Sequence, residues 1–118
     1  YRTNIWNYPV VPPEHQPGIE GVYHPTVKPT TMVMDALRDC SHRDDIILDP
    51  FGGSGTTLIA AEKTGRQARL IELDPLYCDM IVRRWEKYTG REANLGEEEK
   101  TFKEAKASRL NALEEGQL

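Results

Sequence analysis

A glycine-rich turn follows a short apolar run in the stretch IILDPFGGSGTT, residues 46–57. The apolar run, residues 46–48, ends at this turn and therefore predicts a buried β-strand. Glycines suit the turn because a residue without Cβ adopts positive φ without strain and lets a ligand approach the backbone. A helix from about Thr56 to Thr64 should follow and should end at Gly65. The stretch thus predicts a strand, a candidate ligand-binding turn and a helix.

The alternation of strand and helix continues on both sides of this stretch. Upstream, helical spacing of apolar residues predicts a helix over residues 29–40. Downstream, residues 68–73 predict a second strand, and Asp74 and Pro75 suit the N-cap and first turn of a helix that stops by Gly90. This order predicts the α/β class, with a parallel βαβα unit in a partial Rossmann-like fold and flanking helices.

Length and composition limit the classes of protein. The chain has 118 residues, 38% of them hydrophobic, and a formal net charge of −4 at pH 7, which suits one domain. No apolar run reaches the roughly 18 residues of a membrane span and no signal-peptide pattern is present, so we expect a cytoplasmic protein without a membrane partner. Two cysteines are too few for a disulfide scaffold and are expected to be buried. The acidic balance disfavours an autonomous nucleic-acid binder.

Prolines and charges divide the chain into three regions. Six of the eight prolines lie in the first 29 residues, where a fixed φ and a missing amide donor favour extended or looped backbone. We expect a proline-rich lead-in over residues 1–28, the βαβα portion over residues 29–90 and a charged tail over residues 91–118. Thr101 and Glu104 have the spacing of a capping box, so the tail should hold an amphipathic helix, either docked on a parent protein or solvated.

The residues around the turn favour one class of ligand. Leu58 stands where a dinucleotide-binding pattern starting at Gly53 needs glycine, and Gly55 is followed by Thr56 where a phosphate-binding loop needs lysine. An acid at the end of the second strand, Glu72, lies where nucleoside-binding α/β folds place a carboxylate on the ribose hydroxyls. The pattern therefore indicates a nucleoside without a required pyrophosphate, and S-adenosylmethionine is such a ligand.

Three segments carry a resemblance to a known family. Residues 24–29 (HPTVKP), 49–57 (DPFGGSGTT) and 71–77 (IELDPLY) resemble the cofactor-binding half of site-specific DNA methyltransferases, which methylate the exocyclic amine of adenine (N6) or cytosine (N4). The resemblance covers about residues 4–90 and implies an S-adenosylmethionine-dependent methyltransferase fold. Residues 4–6 and 83–91 look more particularly like a subset found in bacteria and phages, some of whose members carry an N-terminal ParB-like domain.

The resemblance implies a set of cofactor-binding residues. Residues 24–29 would lead into the helix that flanks the methionine part of the cofactor, Glu72 would hold the ribose, and Leu73 would pack against the adenine. Lys28 would either approach the cofactor carboxylate or cap local backbone. The residues implied to bind S-adenosylmethionine are Thr26, Lys28, Asp49, Phe51, Gly52, Gly53, Ser54, Gly55, Thr56, Glu72 and Leu73.

The motif that grips the target base in this family is absent. That motif reads Asp/Asn/Ser-Pro-Pro-Tyr/Phe/Trp, and its aromatic ring stacks on the flipped base. Residues 74–77 differ from it at Leu76 and stand where a helix cap is expected, so we interpret them as a cap. We therefore expect no catalytic residue. We also expect no metal site, because the histidines and cysteines lack Cys-x-x-Cys and His-x-x-x-His spacing. Together with the first residue, Tyr1, which is not Met, the motif order suggests the C-terminal part of a permuted enzyme, inactive alone, whose missing N-terminal part contacts DNA.

Two other functions and one physical property follow from the same features. The chain could instead be a stand-alone cofactor-binding or regulatory module, or part of a methyltransferase for RNA, protein or a small molecule. Because only two strands are evident, we expect exposed strand edges and apolar surface, and hence self-association or weak cofactor binding. The basic residues of the third helix, Arg83, Arg84 and Lys87, are expected to form a solvated face rather than to contact DNA phosphates.

Overall fold

A computed structural model describes residues 5–12, 18–19, 22–23, 27–96 and 100–116. Within these ranges short antiparallel pairs flank a central helix-and-strand unit, and none of the helices is long and apolar enough to cross a membrane. The elements in chain order are β1 (Gly18–Ile19), β2 (Val22–Tyr23), α1 (Thr30–Cys40), β3 (Ile46–Asp49), α2 (Thr56–Thr64), β4 (Gln67–Leu70), α3 (Pro75–Thr89), β5 (Asn94–Leu95), β6 (Lys100–Thr101) and α4 (Phe102–Glu114).

The central unit is a parallel strand pair with two helices on one face. β3 and β4 pair in parallel, with Ile46 opposite Gln67, and α2 forms the crossover between them. Leu37 of α1 and Ala60 and Ala61 of α2 form a buried cluster. Partly buried hydrophobic side chains from α1 and from the sheet pack against this cluster: Val33, Met34, Ile47 and Ala68. This arrangement confirms the predicted α/β class.

The opposite face of this sheet is exposed. Ile46 and Leu48 are 65% and 67% exposed, so the prediction of a buried strand is wrong for both residues. Alternate side chains of a strand point to opposite faces, and among the described residues helices cover only the face to which Ile47 points. β3 is therefore half-buried.

β4 is shorter than predicted because its partner strand ends first. The Ile71 N–H donates to the Asp49 carbonyl oxygen over 2.9 Å, and Asp49 is the last residue of β3. The chain of β3 then enters the glycine turn, where the Gly52 N–H donates to the Ile71 carbonyl oxygen over 2.8 Å. Residues 71–73 consequently run beside the turn instead of continuing the strand ladder.

α3 begins and ends as predicted. The Asp74 carboxylate accepts a hydrogen bond of 2.8 Å from the Leu76 N–H, Pro75 is the first helical residue, and Gly90 ends the helix at φ 69°. A side-chain oxygen on an N2 or N3 amide is the bonding pattern of an N-cap. The interpretation of residues 74–77 as a helix cap is thus confirmed.

A side-chain cluster holds the segment after α3 against α2. The Glu62 carboxylate accepts the indole N–H of Trp85 over 2.8 Å and the guanidinium of Arg91 over 2.7 Å. The Arg91 guanidinium also lies 4.7 Å from the centroid of the Trp85 ring, a favourable cation–π geometry. This cluster fixes the direction in which the chain leaves α3.

The capping box of the tail helix is present. The Thr101 hydroxyl oxygen accepts the Glu104 N–H over 3.3 Å, and the Glu104 carboxylate accepts the Thr101 N–H over 2.8 Å. Hydrogen bonds from the Thr101 backbone and side chain hold the pKa of Glu104 below its ordinary value. The β5–β6 pair before this helix was not predicted, since two-residue strands leave no periodic signal.

The cysteines only partly meet the expectation of burial. Cys40 is exposed at the last residue of α1, so the expectation is wrong there. Cys78 is half-buried, and burial raises the pKa of its thiol. A raised pKa leaves less thiolate at neutral pH, so Cys78 is not an activated nucleophile.

Candidate functional site

The carboxylate of Asp49 holds the two ends of the glycine turn together. One oxygen accepts the Phe51 N–H over 3.0 Å, and the other accepts the Thr57 hydroxyl over 2.6 Å. Asp49 ends β3 and Thr57 lies in the first turn of α2, so one side chain fixes both boundaries of the turn. Thr57 is not among the site residues predicted from the sequence.

The glycines of the turn are required by α3 as well as by the backbone conformation. Gly53 and Gly55 have φ of 53° and 77°, a region that side chains disfavour. A Cβ on Gly55 would lie 3.1 Å from Cγ1 of Ile81, and one on Gly52 would lie 3.1 Å from Cδ1 of the same residue. The turn therefore packs directly on α3, and this packing requires glycines whether or not a ligand is bound.

Glu72 joins the segment after β4 to the turn after β3. One carboxylate oxygen accepts the Gly53 N–H over 2.7 Å, and the other accepts the Asp74 N–H over 2.9 Å. The structure thus brings the strand-end acid and the glycine turn together. A carboxylate offers about four acceptor positions, so a ligand hydroxyl can be accepted in addition to two backbone amides.

Two buried hydroxyls connect the turn to the segment before α1. Ser54 and Thr56 are each 5% exposed, and their hydroxyl oxygens are 3.1 Å apart. The Thr56 hydroxyl donates to the Lys28 carbonyl oxygen over 3.4 Å. The Lys28 backbone therefore binds the turn, while its side chain is exposed.

Arg84 reaches the same hydroxyls from α3. Its Nη1 donates to the Ser54 carbonyl oxygen over 2.8 Å and to the Thr56 hydroxyl over 3.2 Å. Its Nη2 lies 3.5 Å from the Thr30 hydroxyl, and burial lowers the pKa of the guanidinium. The expectation of a solvated position is therefore wrong for Arg84. Its position agrees with its spacing, since it lies three residues after the buried Ile81 and so on the same helix face.

Most of the predicted site residues line one small cavity. Its volume is about 60 Å³, well below the roughly 300 Å³ at which ligand pockets begin, so these residues form an open lining and not a complete pocket. Gly55 is buried in the same turn. The cavity is lined by Lys28, Val33, Asp49, Phe51, Gly52, Gly53, Ser54, Thr56 and Thr57.

Apart from Gly55, two of the predicted site residues that the structure describes lie outside the lining of this cavity. Glu72 is tied to it through Gly53. Leu73 does not line it and is 96% exposed, while Phe51, which does line it, is 85% exposed. Thr26 lies outside the described residues. Both exposed apolar side chains are therefore available to a flat ring or to another part of a protein.

A larger groove lies elsewhere. It has a volume of about 710 Å³ and runs between β4, the C-terminal half of α2, α3 and residues 91–94. None of the predicted site residues that the structure describes lines it. Among the described residues, no group of three or more His, Cys, Asp or Glu side chains is arranged to hold a metal ion.

Comparisons with known proteins agree on one family. The sequence profile of the DNA methylase family matches residues 1–83. The type II methyltransferase M.ScaI of Streptomyces caespitosus is 38% identical over 85 residues, 71% of this chain and 28% of that protein. The DNA adenine methyltransferase YhdJ of Escherichia coli is 33% identical over 114 residues, 94% of this chain and 38% of that protein.

A solved structure also points to the DNA methylase family. A crystal structure of TTHA0409, a DNA modification methylase from Thermus thermophilus, matches with a TM-score of 0.51 and 36% identity over 58% of this chain and 28% of that one. A second crystal structure of that protein, complexed with S-adenosyl-L-methionine, matches with a TM-score of 0.49 and 41% identity over 50% of this chain and 25% of that one. This chain thus spans about a quarter to two fifths of the length of these relatives. Since the family profile covers residues 1–83, the chain belongs to the DNA methylase family of the N6/N4 type.

Proposed function

We propose that this chain is the S-adenosylmethionine-binding portion of a cytoplasmic DNA methyltransferase that acts on an exocyclic amino nitrogen of adenine or cytosine. The observation that carries the proposal is the 2.7 Å hydrogen bond between the Glu72 carboxylate and the Gly53 N–H. It joins the acid that we propose binds the ribose to the glycine turn, and nucleoside-binding α/β folds use the same pairing of acid and turn. TTHA0409, which was crystallised with S-adenosyl-L-methionine, supports the choice of nucleoside.

The residues present fit the chemical groups of this cofactor. Glu72 accepts the ribose hydroxyls, Leu73 and Phe51 offer exposed apolar surface to the adenine, and Lys28 offers a charge to the carboxylate. Asp49 and the turn residues 52–56 hold the backbone in place, and Thr26 belongs to the set through its motif. Bound S-adenosylmethionine supplies a methyl group made electrophilic by its sulfonium charge. The protein's contribution is therefore positioning.

The same proposal includes a missing part of the enzyme. The curated relatives are about two and a half to three and a half times as long as the segment they share with this chain. A cavity of about 60 Å³ and an exposed sheet face at Ile46 and Leu48 fit a domain completed by further chain. We propose that this further part precedes the chain, carries the base-gripping motif and contacts DNA, so the chain alone is inactive.

Cofactor binding by the isolated chain tests the proposal directly. In amide NMR spectra, S-adenosylmethionine should shift the signals of Gly53, Ser54 and Thr56, while a nicotinamide dinucleotide at equal concentration should not. In the same preparation, no methyl group should be transferred to duplex DNA, RNA or protein. Absence of any shift with S-adenosylmethionine contradicts the proposed cofactor, and methyl transfer to RNA or protein favours a different substrate class.

Self-association of the isolated chain is a second prediction. The Gln67 and Ile71 amides donate to β3, so Ala68 and Leu70 direct their backbone groups to the other edge of β4, where no described strand pairs. Sedimentation equilibrium should show a mass that rises with concentration. Leu48→Lys on the exposed sheet face should lower that mass, whereas Leu113→Lys on α4, where Leu113 is 59% exposed, should not. A monomer at every concentration contradicts this prediction.

A further inference from the structure

Arg84 connects three segments that are far apart in the sequence. From α3 it reaches the Ser54 carbonyl and the Thr56 hydroxyl of the glycine turn, and the Thr30 hydroxyl at the start of α1. Thr56 in turn donates to the Lys28 carbonyl oxygen. The guanidinium therefore lies at the junction of the turn, the residues before α1 and the helix behind them.

The partners of this guanidinium are neutral. It donates to a carbonyl and to hydroxyl oxygens, and among the described residues no carboxylate forms an ion pair with it. Burial alone accounts for the lowered pKa of Arg84. A positive charge without a balancing carboxylate thus lies behind the wall of the cavity that Ser54 and Thr56 line, which makes this end of the cavity attractive to an anion.

The guanidinium also fixes how the two hydroxyls are oriented. Arginine has no acceptor, so the oxygens of Ser54 and Thr56 must accept from Arg84, over 3.4 Å and 3.2 Å. Their protons are then directed away from Arg84, and the Thr56 proton can reach the Lys28 carbonyl. The planar fork can serve these acceptors and Thr30 together, which the point charge of a lysine would do less well.

These contacts suggest a specific role in cofactor binding. We propose that Arg84 is a positioning residue for the carboxylate end of the cofactor, because it orients the Ser54 and Thr56 hydroxyls and adds positive charge behind them. The proposal rests on the proposed function, in which Glu72, bonded to the Gly53 N–H of the same turn, takes the ribose. S-Adenosylmethionine carries its only carboxylate on the amino-acid end, so this end of the ligand matches the positive charge of Arg84 behind Ser54 and Thr56.

Two ligands separate this role from a general structural one. 5′-Methylthioadenosine has the same nucleoside as S-adenosylmethionine but no amino-acid part. Arg84→Gln should raise the dissociation constant of S-adenosylmethionine about tenfold, the size expected when a charge-assisted hydrogen bond is lost, and leave that of 5′-methylthioadenosine nearly unchanged. Both constants are measured by NMR titration of the isolated chain.

The matched control is the neighbouring Arg83→Gln. The Arg83 guanidinium lies 5.7 Å from the centroid of the Phe102 ring, away from the turn, so this variant should change neither constant. Arg84→Lys keeps the charge without the fork and should show a smaller loss, again selective for S-adenosylmethionine. If Arg84→Gln fails to fold, the two dissociation constants of Arg84→Lys test the proposal instead.

The outcomes separate the two proposals. Equal weakening of both ligands in the Arg84 variants, or no weakening of either, overturns the positioning role and leaves the proposed function intact. A wild-type chain that binds neither ligand overturns the proposed function and the positioning role with it. Selective loss of S-adenosylmethionine, with Arg83→Gln unchanged, supports the positioning role.

Discussion

Gly55→Ala is expected to destabilise the chain much more than Gly90→Ala, although both glycines have positive φ. They adopt φ of 77° and 69°, so alanine pays a similar conformational penalty of about 1–2 kcal/mol at each position. At Gly90 the new Cβ would meet no atom within 4 Å, whereas at Gly55 it would lie 3.1–3.4 Å from Cγ1, Cγ2 and Cβ of Ile81. Overpacking of this kind adds about 1–3 kcal/mol.

The contact at Ile81 is difficult to relieve. The three Ile81 atoms lie at the β-branched base of the side chain, which has few alternative χ1 rotamers in a helix. Relief therefore requires α3 to move away from the turn, which would also disturb the bonds from Arg84 on the same helix. We expect a loss of about 3 kcal/mol in the free energy of unfolding for Gly55→Ala.

Urea denaturation followed by tryptophan fluorescence measures this difference. The midpoint for Gly55→Ala should fall well below that for Gly90→Ala, with a similar slope for both. If the two variants lose equal stability, the close packing of the turn on α3 is wrong. Gly55→Ala should cost less stability when it is introduced into Ile81→Ala than when it is introduced into the wild-type chain. The clashing Ile81 branches are absent in that background.

The helix boundaries could be predicted from the sequence because the interactions that set them are local. Gly65 ends α2 and Asp74 begins α3 through bonds to residues within four positions in the chain. The end of β4 could not be predicted in this way. It depends on where β3 stops, and β3 is about twenty positions away in the sequence. The exposure of Ile46 and Leu48 could not be predicted for the same reason, because it depends on whether a distant element covers that face of the sheet.

Part of the site could also be predicted from the sequence. The turn and Glu72 follow from glycine spacing and from the acid after a strand, and the structure joins them. Arg84 was missed for a different reason. Its spacing from the buried Ile81 puts it on the inward-facing side of α3. A charged residue type outweighed that spacing, although a guanidinium can be buried when carbonyl and hydroxyl oxygens satisfy it.

Glu72→Gln is the substitution expected to weaken cofactor binding most. The Glu72 carboxylate accepts one backbone amide on each oxygen, from Gly53 and from Asp74. A glutamine keeps one acceptor oxygen, and its amino group would face the other backbone N–H, donor against donor. The change therefore loosens the turn and removes the negative charge proposed to hold the ribose. Loss of one to two hydrogen bonds to a charged group predicts a dissociation constant for S-adenosylmethionine raised roughly 30-fold.

A matched carboxylate separates this effect from a loss of stability. Glu86 also accepts a backbone amide, that of Ala93, over 2.9 Å, but it lies away from the turn. Glu86→Ala removes this acceptor altogether, so it should lower stability and leave the dissociation constant unchanged. If Glu86→Ala weakens binding as much as Glu72→Gln does, the effect of Glu72→Gln is one of stability and not of ribose binding.

The choice of ligand makes the Glu72 test specific for the ribose. S-Adenosylmethionine and 5′-methylthioadenosine share the ribose, so Glu72→Gln should weaken both by the same factor, in contrast to the selective loss expected for Arg84→Gln. The two variants together thus predict different patterns across one pair of ligands, because they are proposed to act on different parts of the cofactor. If Glu72→Gln weakens S-adenosylmethionine alone, the ribose does not lie on this acid, and the proposed ribose contact is wrong.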